Sequence, residues 1–154
     1  MTVHGALTRA TIVALLVLAV DQATKLLVRS DLFVGERRDL LGPVKLTRVN
    51  NEGVALGAFA GGGVVLLVVV AVVAAALIVY LVRHAGRPLT WLACGLILGG
   101  AAGNAIDRVA AGAVTDFIAF PHWPAFNVAD IAISCGVIVL MLLLLRTEQA
   151  DAAT

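Results

Sequence analysis

From Val64 to Val82 the chain runs without a single charge and is almost entirely Val, Ala and Leu. At 1.5 Å per residue, a helix of that length crosses the ~30 Å hydrocarbon core of a bilayer. Three more apolar stretches are of similar length, at about 8–28, 88–108 and 126–145. Lipid supplies no partner for free backbone groups, so segments of this length and composition cross as helices. With 61% hydrophobic and only 14% charged residues, a soluble domain of this size could not hide its apolar surface. The sequence therefore predicts an all-α integral membrane protein, a single domain over residues 1–154 built as a four-transmembrane-helix bundle.

Function classes narrow quickly. The net charge is +1 and no long basic run occurs, so a nucleic-acid partner has no electrostatic footprint. Cys94 and Cys135 fall in apolar stretches and read as small buried hydrophobes. His4, His84 and His122 are scattered and no HxxxH or CxxC spacing exists, so no metal is expected. Arg9 and the apolar run after it resemble a secretory signal peptide. The polar Asp21-Gln22 pair and three later spans favour an uncleaved first span.

Arg83, His84 and Arg87 sit between the second and third spans without an acid, which marks that side as cytoplasmic. Arg9 and Arg146 then put both termini on the same side, as four crossings require. Arg29, Arg37, Arg38, Lys45 and Arg48 in the first outer loop run against the rule. That loop, roughly 29–60, is long for a simple connection. Val44, Leu46 and Val49 alternate loosely with Lys45, Thr47 and Arg48 after a Gly42-Pro43 turn. A small extracytoplasmic β-sheet in the first outer loop is expected. Gly61-Gly62-Gly63 gives a pliable entry to the second span. In the third, Gly95, Gly99 and Gly103 form a small-xxx-small stripe suited to close helix packing, within the bundle or between two copies.

Against this background, carboxylates stand out. Asp21, Asp107 and Asp130 lie in apolar segments, where an ionisable group costs roughly 2.5–3.5 kcal/mol on insertion scales. Asp130 is 16 residues before Arg146, ~24 Å of helix from the inner face. Asp107 is 19 residues past Pro88, ~28 Å, and Asp21 is 12 past Arg9, ~18 Å. Asp116 falls in the loop between the third and fourth spans. Four acids on separate segments thus converge near the extracytoplasmic boundary, joined by the amides Asn51, Asn104 and Asn127. Plain structural readings exist: Asp21 and Lys25 at i, i+4 can neutralise each other, and Asp107 can pair with adjacent Arg108. Asp130 has no basic partner in its span before Arg146. Residue types alone do not select a working pair.

Five motifs carry a resemblance. Asp21-Gln22-Ala23-Thr24-Lys25, Asn51-Glu52-Gly53-Val54-Ala55-Leu56-Gly57, the stretch from Gly99 to Asp107-Arg108, Val114-Thr115-Asp116-Phe117 and Phe126-Asn127-Val128-Ala129-Asp130 resemble the lipoprotein signal peptidases (signal peptidase II) in order and spacing. The likeness spans nearly the whole chain. Leu56 departs from it, standing where the family more often has Phe. The resemblance implies an intramembrane aspartic endopeptidase that cleaves bacterial prolipoproteins on the amino side of a diacylglyceryl-modified cysteine. It makes Asp116 and Asp130 the catalytic dyad. Asp21, Lys25, Asn51, Gly53, Asn104, Asp107, Arg108 and Asn127 would support the site or bind substrate. No cofactor is implied. The expected partners are the lipid-modified prolipoprotein and membrane lipid, and the enzyme is expected to act as a monomer in the bacterial cytoplasmic membrane. The alternative is a small proton- or cation-conducting membrane protein. That role calls for polar residues in the cytoplasmic half, where the second and fourth spans offer little beyond Ser134. A purely structural subunit leaves the asparagine-rich outer cluster unexplained.

Overall fold

A computed structural model describes residues 1–53 and 62–152, with 147–152 as backbone only. Residues 54–61, which hold Val54-Ala55-Leu56-Gly57 and the first glycine of the Gly61-Gly62-Gly63 run, lie outside the described residues. The described elements are α1 (Val3–Asp31), β1 (Arg37–Leu41), β2 (Val44–Asn51), α2 (Gly62–Arg83), α3 (Thr90–Ala111), β3 (Val114–Phe120), β4 (Trp123–Phe126) and α4 (Val128–Ala152).

Val3–Asp31, Val64–Arg83 and Val128–Arg146 are long and apolar enough to cross a membrane. The remaining expected span is the helix α3, but its glycines together with Asn104, Asp107 and Arg108 dilute its apolarity. It is the most interior helix, with Ala93, Cys94, Gly95, Ile97, Gly99, Gly100 and Gly103 buried between its neighbours. Small residues are what allow this. A Cβ added at Gly99 would lie 2.6 Å from the carbonyl oxygen of Ala14 and 2.8 Å from its Cα, both backbone atoms of α1. On the α4 side, a Cβ at Gly100 would meet the carbonyl oxygen of Ala129 at 2.5 Å. Without a hydrophobic drive between helices in lipid, such close approach is the main source of packing energy. The glycine stripe is thus used inside the bundle, against α1. Gly99→Val should lower the unfolding midpoint in detergent, at a cost of about 1–3 kcal/mol for overpacking. An unchanged midpoint would mean that α1 and α3 are not in contact there.

The sheet corrects one expectation. It is a four-stranded antiparallel sheet in the order β1-β2-β3-β4, so only half of it comes from the first loop. Gly42, at φ 55, and Pro43 turn β1 into β2, and the segment between α3 and α4 supplies β3 and β4. Asp116, expected in a loop, stands in β3 opposite Val49 of β2. The physical reason is that Val114, Thr115, Asp116 and Phe117 are all buried, so the polar–apolar alternation that announces a strand is missing. Gly112, at φ 74, ends α3 in the left-handed conformation, its N–H donating to the Arg108 carbonyl, and turns the chain into β3.

Candidate active site

The start of α4 is where the polar residues meet. Asn127 caps this helix: its Oδ1 accepts from the Asp130 N–H at 3.0 Å, and Asp130 Oδ2 accepts from the Asn127 N–H at 3.1 Å. This reciprocal capping box fixes the Asp130 carboxylate over the first turn. The Asn127 amide is thereby oriented, because its oxygen is committed to the helix. Its Nδ2 points outward and donates to Asp116 Oδ1 at 2.7 Å and to Asn104 Oδ1 at 3.2 Å. One asparagine therefore touches both candidate carboxylates. Asn104, from α3, donates through Nδ2 to Asp130 Oδ1 at 2.8 Å.

Asp116 receives a second donor, Asn51 Nδ2, at 3.0 Å. Gly53 explains that placement. At φ 67 its N–H reaches back to Asn51 Oδ1 at 2.9 Å and aims the amide nitrogen at Asp116. Burial raises the proton affinity of Asp116 above that of an ordinary carboxyl, and the charge of Asp130 adds to this. The Asn51 and Asn127 donors and the Lys25 charge oppose the shift without cancelling it.

Beneath this pair lies a buried ionic cluster. Lys25 is fully buried, and its Nζ stands 2.8 Å from Asp21 Oδ2, 3.0 Å from Asp107 Oδ2 and 2.9 Å from Asn104 Oδ1. The contact with Asn104 is a hydrogen bond, and those with the two carboxylates are ion pairs. Asp21 Oδ1 also accepts from the Ala129 N–H at 3.0 Å, which satisfies another free amide at the start of α4. The Asp21–Lys25 pairing is present as expected. The Asp107–Arg108 pairing is not: Asp107 pairs with Lys25 and, at 2.8 Å, with Arg29, whereas Arg108 donates to the Asn104 carbonyl.

Eight of the ten expected residues therefore join one network of ion pairs and hydrogen bonds, from Asp21, Lys25 and Asp107 through Asn104 and Asn127 to Asp130, Asp116 and Asn51. Gly53 and Arg108 attach through backbone groups. Sequence reasoning missed Arg29, Thr115 and Gln22. Arg29 Nε donates to Thr115 Oγ1 at 2.8 Å. Gln22 Nε2 lies 3.2 Å from Asp21 Oδ2 and 3.3 Å from Asp107 Oδ1. Gln22 was visible in the first motif, as a polar residue beside Asp21 in an apolar run.

Each carboxylate opens on a cavity. Asp116 lines one of about 660 Å³ bounded by the sheet, with Asn51, Glu52, Trp123 and Pro124 in its wall. Asp130 lines an adjoining one of about 320 Å³, among Trp123, Phe126, Ile131 and Ser134. Trp123 lines both. The first has the charged groups of Arg37, Lys45 and Glu52 in its wall, and the second has mainly apolar side chains beside Asp130 and Ser134.

Comparison with known proteins agrees with this architecture. Residues 13–146 match the family model described as signal peptidase (SPase) II. The lipoprotein signal peptidase of Halothermothrix orenii is 39% identical over 139 residues, which are 90% of this chain and 96% of that protein. That of Syntrophomonas wolfei is 42% identical, covering 89% and 93%. A bacterial membrane enzyme solved by the in meso method at 1.9 Å resolution superposes with a TM-score of 0.84 at 29% identity, over 88% of this chain and 92% of that one. The chain belongs to the signal peptidase II family.

Proposed function

We propose that this protein is a prolipoprotein signal peptidase that works as an intramembrane aspartic endopeptidase. In this reading it cleaves on the amino side of a diacylglyceryl-modified cysteine, with Asp116 and Asp130 as the dyad. The observation that carries the proposal is the single amide of Asn127 bonded to Asp116 through Nδ2 and to Asp130 through its cap. Family membership supports the substrate class. The α3 helix is the fourth crossing, both termini are cytoplasmic, and the sheet lies on the outer face. The filling of the glycine stripe by α1 supports a monomer. Conduction of protons or cations is not favoured by the family match.

Two close carboxylates do not both ionise cheaply, so they share a proton. In this reading Asp116, whose burial favours the neutral form, holds the proton at rest and Asp130 is the base. Asp130 takes a proton from water while the water oxygen bonds to the scissile carbonyl carbon. Asp116 gives its proton to the carbonyl oxygen, which yields a gem-diol. Return of a diol proton to Asp116 and transfer of the Asp130 proton to the amide nitrogen break the C–N bond. A carboxylic acid and the free amine of the lipidated cysteine leave. The diacylglyceryl chains need not quit the bilayer, since the dyad lies at its edge.

The test is cleavage of a diacylglyceryl prolipoprotein by the purified protein. Cleavage should persist with chelator and fail on the unmodified precursor; ion flux without proteolysis would refute it. The pH profile adds a second check. The active form keeps one proton on the pair, so activity falls as pH rises through the raised Asp116 value. The alkaline limb of kcat/KM should therefore lie above the ordinary aspartate value of about 3.9. A limb at or below that value would contradict Asp116 as the proton holder.

A further inference from the structure

We infer that Arg29 is a positioning residue for the dyad, acting through Thr115 to fix where Asp116 stands. The inference rests on the reading of Asp116 as catalytic. Successive side chains of a strand point to opposite faces, so Thr115 and Asp116 project from opposite sides of β3. Asp116 faces the cavity, and Thr115 faces the helix ends. Two ties hold Thr115 there. Its hydroxyl accepts from Arg29 Nε at 2.8 Å, and its backbone N–H donates to Asp107 Oδ2 at 3.2 Å.

Arg29 closes the triangle, with Nη2 2.8 Å from Asp107 Oδ1. Nε and Nη2 form one edge of a planar fork: Nε donates to β3, while Nη2 is ion-paired with α3 without hydrogen-bond alignment, so one side chain reaches both elements, which the single ammonium of a lysine cannot copy. The fork is itself anchored. Arg48 of β2 donates through Nη1 to the carbonyls of Arg29 and Leu32, both at 3.0 Å, and pins the end of α1. No other residue of α1 is hydrogen-bonded to β3 among the described residues.

Charge gives Arg29 a second effect. Asp21 and Asp107 are offset by Lys25 and Arg29, so the cluster under the dyad is neutral in sum. The other charged groups around Asp116 are Asp130 of α4, Arg37 of β1, Lys45 of β2 and Glu52 just after β2, which line the same cavity or act on it directly. Removing the Arg29 charge leaves one excess negative charge close to Asp116, which then holds its proton to higher pH.

Three full-length variants separate these effects, each assayed on a diacylglyceryl prolipoprotein with kcat, KM, pH profile and unfolding midpoint. Arg29→Gln should lower kcat by about 10- to 100-fold, as a misplaced group does, with KM within about twofold by the same reasoning, and move the alkaline limb upward. Arg29→Lys should lower kcat while leaving the limb in place, because charge is kept and the fork is lost. Thr115→Val should do the same, since it removes only the hydroxyl tie. Lower midpoints with unchanged kcat and pH limb in folded enzyme would mean a merely structural role and would overturn the inference. If Arg29→Gln does not fold, Thr115→Val decides: a wild-type kcat there overturns the proposal. Asp116→Asn run alongside keeps the two readings apart. If it still cleaves, the dyad assignment fails; if it is inert while the Arg29 and Thr115 variants behave as wild type, only this inference fails.

Discussion

Asp130→Asn lowers cleavage by about 10²–10⁴-fold, the usual range for loss of a positioned acid or base, and Asp116→Asn does the same. The two losses should not add. In the proposed mechanism the carboxylates act as one unit on one water, so the double variant should be little worse than either single one. Folding has to be watched in both. Asn at 130 offers one acceptor where Asp130 serves both the Asn127 N–H and Asn104 Nδ2, so the α4 cap weakens by about 0.5–2 kcal/mol. Asn at 116 faces the same conflict between Asn51 and Asn127, but Asn51 is exposed and can turn to water. Asp116→Asn is therefore the cleaner variant. Turnover per folded enzyme, with the unfolding midpoint beside it, checks the prediction. A wild-type rate in either variant removes that residue from the chemistry.

Much of this site is legible in the chain because charges are rare in apolar runs. Depth counting alone brings Asp21, Asp107 and Asp130 toward one end, and Lys25 at i+4 from Asp21 reads as a pair that the structure contains. Asn127 stands out in the sequence only as an amide near the carboxylates; that it caps α4 together with Asp130 emerges from the structure. Other features are tertiary. Adjacent helix positions point about 100° apart, so the neighbouring sequence positions of Asp107 and Arg108 do not predict contact. Arg29 reads as one more basic residue near an outer loop, and its role depends on where β3 passes the end of α1. β3 itself carries no alternation because both its faces are covered near Asp116, and its pairing with β2 bridges the whole length of α2 and α3. The sheet could be expected from β1 and β2, but not the strands that complete it.

The second large effect is expected at Lys25. Its ammonium is buried and enclosed by Asp21, Asp107 and Asn104, so Lys25→Met leaves Asp107 with Arg29 and strips buried Asp21 of the ion pair it makes. Breaking one side of a buried ion cluster costs about 3–5 kcal/mol, a large share of the 5–15 kcal/mol that holds a typical domain together. The double variant Asp21→Asn with Lys25→Met removes one charge of each sign and restores neutrality. Asn at 21 can still accept from the Ala129 N–H through its oxygen, as Asp21 Oδ1 does. Stability should thus recover substantially in the double variant, measured as the denaturant midpoint in detergent. Activity should not recover with it. Asn104 Oδ1 loses the Nζ contact in both variants and keeps only the longer one from Asn127 Nδ2, so the amide that holds Asp130 is less firmly oriented. A folded but slow double variant would separate the two roles of Lys25, charge balance for the bundle and orientation for the dyad. Equal midpoints for Lys25→Met and wild type would show that the buried cluster contributes nothing to stability.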